Sequence, residues 1–139
     1  MVTAQSPCLA VEAEGSMQPL NLVLFQSDAR VAQSLVSALS DSCASVRQVE
    51  SFGDLRRSMA INRASVAILD LEAASMADVE RLSLEFPATC IVCTHRLADE
   101  DMWTAAVNAG AADVCPPTDT RGILRTALRN ISISQSAAA

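Results

Sequence analysis

Short apolar runs alternate with amphipathic segments along the whole chain, and this alternation restricts the possible folds more than any other feature. The clearest run, 65–70, is apolar until its final carboxylate, which indicates a strand buried on both faces, as in a parallel sheet covered by helices. Right-handed crossovers then predict a doubly wound α/β sheet with strand order 2-1-3-4-5 and helices on both faces. The predicted strands are 21–25, 45–49, 65–70, 90–94 and 112–115.

The segments between the runs carry apolar residues at helical spacing, so five helices are expected. Asp28 is placed to cap the first helix and Thr120 to cap the last. The second helix is predicted at about 53–61 and the fourth at about 99–109. The first helix carries Val31, Leu35, Ala38 and Leu39 at helical spacing. The predicted inward residues of the third and last helices are Val79, Leu82, Phe86, Ile123, Leu124, Ala127, Leu128 and Ile131.

The 139 residues suffice for one domain with a proper core and not for two. We expect a flexible leader at 1–18, one domain at 19–131 and a flexible tail at 132–139. The leader lacks the basic flank and apolar run of a signal peptide. No segment approaches the roughly 18 apolar residues of a membrane helix. Five cysteines at irregular spacing favour reduced thiols, and we therefore expect a cytoplasmic protein.

The charge of the chain narrows the choice of partners. Ten basic residues against sixteen acidic ones give a net charge of −6. All ten are Arg, and the chain contains no Lys. Because contacts with phosphate need clustered cations, nucleic acid and an anionic membrane surface are disfavoured as the main partner.

Polar residues follow the predicted strands at the edge of the sheet where α/β proteins bind their ligands. An Asp at the end of the third strand and a Thr at the end of the fourth suggest phosphoryl chemistry on a carboxylate. No nucleophile paired with a base, metal cluster or Gly-rich phosphate loop is apparent, so an enzyme is not expected. The residues at this edge are Gln26, Ser27, Asp28, Asp70, Thr94, Pro116, Pro117 and Thr118.

Three segments, in their order and spacing, resemble the receiver (CheY-like) domain of bacterial response regulators: 66–71 (VAILDL), 91–94 (IVCT) and 109–114 (AGAADV). The resemblance covers roughly Leu20 to Ile131. It implies that Asp70 occupies the position of the phosphoacceptor and Thr94 that of the switch residue that binds the phosphoryl oxygen.

The chain departs from this pattern at four functional positions. Gln26 and Ser27 stand where the family has two acidic ligands of Mg²⁺, Pro117 where it has a Lys, and Val114 where it has a switch aromatic. Since no Lys is present anywhere, no neighbouring Lys can replace the missing one. We therefore predict a degenerate pseudo-receiver without a metal site or other cofactor, in which the Asp is not efficiently phosphorylated.

Several residues near this edge have simpler interpretations. Asp28 is the remaining acidic neighbour, and a helix cap is its simplest role. His95 is expected to be a solvated loop residue, while Arg96 could supply part of the missing positive charge. Cys90 and Cys93 lie three apart in one strand, so their side chains should point to opposite faces and not form a redox pair.

A protein partner, or a second copy of the chain, is expected on the surface formed by the fourth helix, the fifth strand and the fifth helix. The resemblance favours this face, and aromatic and Arg side chains make good anchors. Two alternatives remain open: a conventional receiver phosphorylated on Asp70 by a histidine kinase, with Mg²⁺ and Asp28 as a substitute ligand, and a small-molecule sensor that uses the same crevice. The candidate anchors are Trp103, Arg121, Arg125 and Arg129.

Overall fold

The computed structural model of the protein describes residues 20–138, and it describes side chains as far as Asn130. The predicted leader at 1–18 lies outside the described residues. Five strands alternate with five helices, as the sequence predicts. They are β1 (Asn21–Phe25), α1 (Ala29–Ser40), β2 (Ser45–Val49), α2 (Phe52–Asn62), β3 (Val66–Asp70), α3 (Met76–Glu85), β4 (Cys90–Thr94), α4 (Glu100–Ala109), β5 (Asp113–Cys115) and α5 (Thr120–Ala138).

All five strands form one parallel sheet in the order β2-β1-β3-β4-β5, so the predicted doubly wound topology is confirmed. Residues of β3 and β4 are fully buried along their whole length. Asp70 is the Cα partner of Thr94 in the register of these two strands. The ends of the two central strands therefore place a carboxylate beside a hydroxyl.

The core lies in two layers, one on each face of the sheet. One cluster packs α2, α3 and α4 against the sheet through Leu55, Met59, Val79, Leu82 and Ala106. The other packs α1 and α5 through Leu35, Leu39, Ile123 and Ala127. Cys93 belongs to the first cluster and Cys90 to the second, which confirms that their side chains point to opposite faces.

Side-chain oxygens at the helix starts satisfy N–H groups that have no partner within the helix. Asp28 caps α1 as predicted, accepting from the Arg30 N–H at 2.9 Å. The predicted Thr120 cap is wrong, because Thr120 is already the first residue of α5. Asp119 acts there instead: its Oδ1 accepts from the Gly122 N–H at 3.0 Å. A carboxylate one residue earlier reaches the same first-turn donors.

The last helix differs from its prediction in length and in one residue of its inner face. It continues to Ala138, through most of the segment predicted as a tail, because no Gly or Pro follows Gly122 to end it. Leu128, predicted to point inward, is 49% exposed, since the buried face is set by Ile123, Thr126 and Ala127. None of the described helices is both long and apolar enough to cross a membrane.

Candidate functional site

A crevice of about 470 Å³ opens at the carboxyl ends of β1, β3 and β4. It lies where the winding of the sheet reverses, which is the position that general rules for α/β sheets assign to a ligand site. Asp70 lies at the inner end of the crevice and is only 3% exposed. The crevice is lined by Gln26, Ser27, Asp28, Ala29, Val31, Asp70, Glu72, Arg96 and Pro117.

The Asp70 carboxylate accepts hydrogen bonds on both oxygens from neutral groups of the chain. Its Oδ2 accepts from the Ser27 backbone N–H at 2.9 Å and from the Ser27 hydroxyl at 2.6 Å. Its Oδ1 accepts from the Glu72 backbone N–H at 2.9 Å. A buried charge without such donors would be costly. The loops after β1 and β3 therefore supply donors to both oxygens of the carboxylate.

Thr94 is completely buried, and its hydroxyl is already engaged. The Gln26 side-chain Nε2 donates to Thr94 Oγ1 at 2.6 Å, in a bond that joins the end of β1 to the end of β4. Gln26 is itself only 7% exposed. The resemblance implies an acidic metal ligand at position 26 and the switch residue at position 94. Here the Gln26 amide instead donates a hydrogen bond to the Thr94 hydroxyl.

Glu72 and Arg96 form an ion pair at the rim of the crevice. The distance from Arg96 Nη2 to Glu72 Oε1 is 2.7 Å, and Arg96 Nε donates to the same oxygen at 2.9 Å. This hydrogen bond lowers the pKa of Glu72 and, with the attraction of Glu72, raises the pKa of Arg96. Sequence reasoning missed Glu72, although it named Arg96 as a possible source of the missing positive charge, and Arg96 does line the crevice. The cation that is present is held by a carboxylate.

The other positions named by the resemblance do not assemble a metal site. Asp28 lines the crevice but uses its carboxylate as the α1 cap. Pro117 is buried beside the crevice, and Val114 packs in the core. Among the side chains that the structure describes, no group of three or more His, Cys, Asp and Glu is arranged to hold a metal ion. Because Gln26 and Ser27 direct donors inward, the crevice does not fit Mg²⁺, which prefers carboxylate and other oxygen ligands.

The cysteines of β4 and β5 and His95 show no arrangement for covalent chemistry among the side chains that the structure describes. Burial raises the pKa of Cys90 to about 11 and the pKa values of Cys93 and Cys115 to about 12. These thiols therefore stay protonated near neutral pH, where a nucleophile would need to be a thiolate. His95 is half-buried, and its Nδ1 accepts from the Leu97 N–H at 2.9 Å, so it orders the loop after β4.

The predicted anchors of the partner face lie on α4 and α5. Trp103 is 46% exposed, and its indole N–H donates to Asp113 Oδ1 at 3.0 Å. Arg121, Arg125 and Arg129 are exposed, and none of them forms an ion pair with another described side chain. Asp113 was missed by sequence reasoning. A carboxylate at the start of a buried strand could have indicated it, because such a group needs hydrogen-bond donors close by.

No protein-family model matches the sequence, and no curated protein matches it. Solved structures do match. A response regulator from Thermotoga maritima has a TM-score of 0.74 at 18% identity, over 83% of this chain and 99% of that chain. The N-terminal signal receiver domain of a two-component response regulator from Bacteroides fragilis gives 0.73 at 17% identity, over 82% and 98% of the two chains.

HP1043, an orphan response regulator of H. pylori, is similar at a TM-score of 0.70 and 12% identity, over 81% of this chain and 96% of that chain. The chain has the receiver fold. In this receiver fold Asp70 ends β3 and Thr94 ends β4, side by side at the edge that carries the crevice. The fold expected from the resemblance is thus confirmed.

Proposed function

We propose that the protein is a cytoplasmic, receiver-like signalling module that acts through protein–protein interaction, without phosphorylation of Asp70 and without a bound metal ion. The hydrogen bonds of Asp70 support this proposal most directly. One carboxylate oxygen accepts from Ser27 and the other from the Glu72 backbone, so the charge is stabilised by groups that the chain itself supplies. A metal ion is not needed to give both oxygens of this carboxylate a hydrogen-bonding partner.

Electrostatics around Asp70 also oppose phosphoryl transfer. Asp28, Asp70 and Glu72 line the crevice together with the single guanidinium of Arg96. That guanidinium is bonded to Glu72. A phosphoryl group brings further negative charge, and its transition state requires cations close to its oxygens. Since Arg96 is the one cation among the described side chains that line the crevice, transfer to Asp70 would meet net repulsion.

Phosphodonor treatment tests this part of the proposal. The protein is incubated with acetyl phosphate and Mg²⁺, and its intact mass is followed over time beside a receiver domain that is labelled under the same conditions. We expect no phosphoryl addition to this protein while the reference domain is labelled. Prompt addition that the Asp70→Asn variant loses would overturn the proposal in favour of a conventional phosphoacceptor.

The interaction surface in this proposal consists of Trp103 on α4 and Arg121, Arg125 and Arg129 on α5, which we call the docking face. The three Arg side chains lie opposite the inward residues of α5, and they are free of ion pairs within the described side chains. Half-exposed Trp and exposed Arg side chains are residue types that are enriched in protein-binding hot spots. The three Arg residues, which lie four positions apart on α5, are a local concentration of positive charge on a protein with a net charge of −6.

Affinity capture from the source cells, quantified by mass spectrometry, tests the docking face. Trp103→Ala and Arg125→Ala should each reduce recovery of the bound partner, or of a second copy of the chain. Leu84→Ala and Arg81→Ala are matched controls, because both side chains are exposed on α3. Equal recovery with all four variants would show that binding uses a different surface.

A further inference from the structure

The Asp113 carboxylate, at the start of β5, accepts hydrogen bonds from three structural elements. Its Oδ1 accepts from the Trp103 indole of α4 at 3.0 Å and from the Val114 backbone N–H of its own strand at 2.8 Å. Its Oδ2 accepts from the Thr126 hydroxyl of α5 at 3.1 Å. The Cys115 thiol lies 3.6 Å from the same oxygen. One carboxylate therefore connects the two helices of the docking face across β5.

Asp113 has the geometry to fix the indole ring. An indole carries one donor, which lies in the plane of the ring, so a bond to a held acceptor determines the ring's orientation as well as its position. The acceptor is itself held, because Val114 and Thr126 restrain its two oxygens. Trp103 is 46% exposed, and without this bond its ring could sample other rotamers in solvent.

The charge environment indicates that the carboxylate's role is to accept these bonds. Asp113 is half-buried and, among the side chains described, forms no ion pair. All of its partners are neutral donors. A carboxylate offers about four lone-pair sites on two oxygens, enough for this set of donors. Within the described hydrogen bonds, no residue other than Asp113 joins α4 to α5 in this way.

We infer that Asp113 is a positioning residue, which fixes the Trp103 indole on the docking face and joins α4 to α5 through Thr126. The face is thereby preorganised, so that less side-chain freedom is lost when a partner binds. Its effect on partner binding rests on the proposed function. The positioning of the indole does not, and it can be measured on the isolated protein.

Nuclear magnetic resonance of the intact chain tests the inference directly. The sequence contains one Trp, so a ¹⁵N-labelled sample gives one indole N–H signal. Its exchange with solvent should be at least about tenfold slower than that of free tryptophan, because the bond to a charged acceptor must open first. In Asp113→Ala this protection should be lost, and the Trp103 fluorescence anisotropy should fall. Exchange at the free rate in the unmodified protein would overturn the inference without any variant.

Two further variants separate positioning from general stability. Asp113→Asn keeps a carbonyl acceptor for the indole, so protection of the Trp103 signal should be retained. Thr126→Val removes only the bond from α5 and should also retain it, even if the protein unfolds at a lower temperature. Loss of protection in Thr126→Val equal to that in Asp113→Ala would show that the indole responds to destabilisation alone, and would refute the specific role of Asp113.

Partner capture then distinguishes this inference from the proposed function. If Asp113→Ala releases the indole and weakens capture as much as Trp103→Ala does, both are supported. If the indole is released but capture is unchanged, positioning is correct and the docking face is wrong. If the indole stays protected in Asp113→Ala, positioning is wrong whatever the partner does.

Discussion

Restoring the missing charges should turn the crevice into a phosphoacceptor site. The variant combines Gln26→Asp and Ser27→Asp, which supply the two metal acids that the resemblance implies, with Pro117→Lys, which supplies the cation. All three positions line the crevice beside Asp70. In the unmodified protein, the Arg96 guanidinium that lines the crevice is bonded to Glu72, which offsets its charge.

The size of the effect follows from Coulomb's law. A Lys ammonium about 4 Å from a phosphoryl oxygen interacts by roughly 4 kcal/mol at an effective dielectric constant near 20. If that attraction is realised in the transition state alone, transfer accelerates about a thousandfold. Metal ligands would add to this acceleration, since Mg²⁺ neutralises charge on the transferred group. The variant should therefore be labelled by acetyl phosphate while the unmodified chain is not.

Intact-mass measurement over time in Mg²⁺ provides the assay, with circular dichroism to establish that the variant is folded. The control is the same triple variant with Asp70→Asn, which should take up no phosphoryl group. Pro117→Lys alone serves as a second test, because it adds the cation without altering the donors to Asp70 and Thr94. If the folded triple variant binds Mg²⁺ and still accepts phosphate no faster than the unmodified chain, the reasoning from charge is refuted.

Three single substitutions test individual contacts. Gln26→Leu leaves the buried Thr94 hydroxyl without its donor, so urea unfolding should show a loss of about 1–3 kcal/mol, and an unchanged midpoint would contradict the bond. Arg96→Gln should raise the lowered pKa of Glu72 back toward the ordinary value of a Glu carboxyl, as read from its carboxyl signal. The stabilisation from this pair is complete above the ordinary pKa of a Glu and is lost as the pH falls through the lowered value. Gly110→Ala places a side chain at φ +116°, and thermal unfolding should show a cost of about 1–2 kcal/mol or more.

The order of the strands and the location of the crevice could be predicted because they depend on hydrophobic pattern alone. Buried runs such as 66–70 and 90–94 form the central strands, and the parallel arrangement brings their carboxyl ends to one edge. Asp70 and Thr94 could therefore be placed beside each other before the register was known. The structure confirms that placement by pairing the two residues directly.

The ion pair between Glu72 and Arg96 was missed because it joins two loops, whose conformations the pattern does not determine. A signal was nevertheless present. Asp70 pairs with Thr94, and each member of the ion pair lies two residues beyond one of these strand ends. Two residues that lie the same number of positions beyond a pair of partners in parallel strands are close together when the two loops leave the sheet in the same direction. The register, which the sequence analysis did not assign, was the missing step.

The residues at positions 26 and 27 change how the crevice should be interpreted. Loss of the metal acids alone would leave the buried Thr94 hydroxyl without a donor, at a cost of about 1–3 kcal/mol. It would leave the Asp70 carboxylate with only the backbone N–H groups of Ser27 and Glu72. Gln26 and Ser27 instead donate to this hydroxyl and this carboxylate at 2.6 Å each. Each of the two side chains therefore donates one hydrogen bond to one of the two buried acceptors. Asp70 and Thr94 are therefore both satisfied by side chains of the chain itself, and a ligand that took over these bonds would have to displace Gln26 or Ser27.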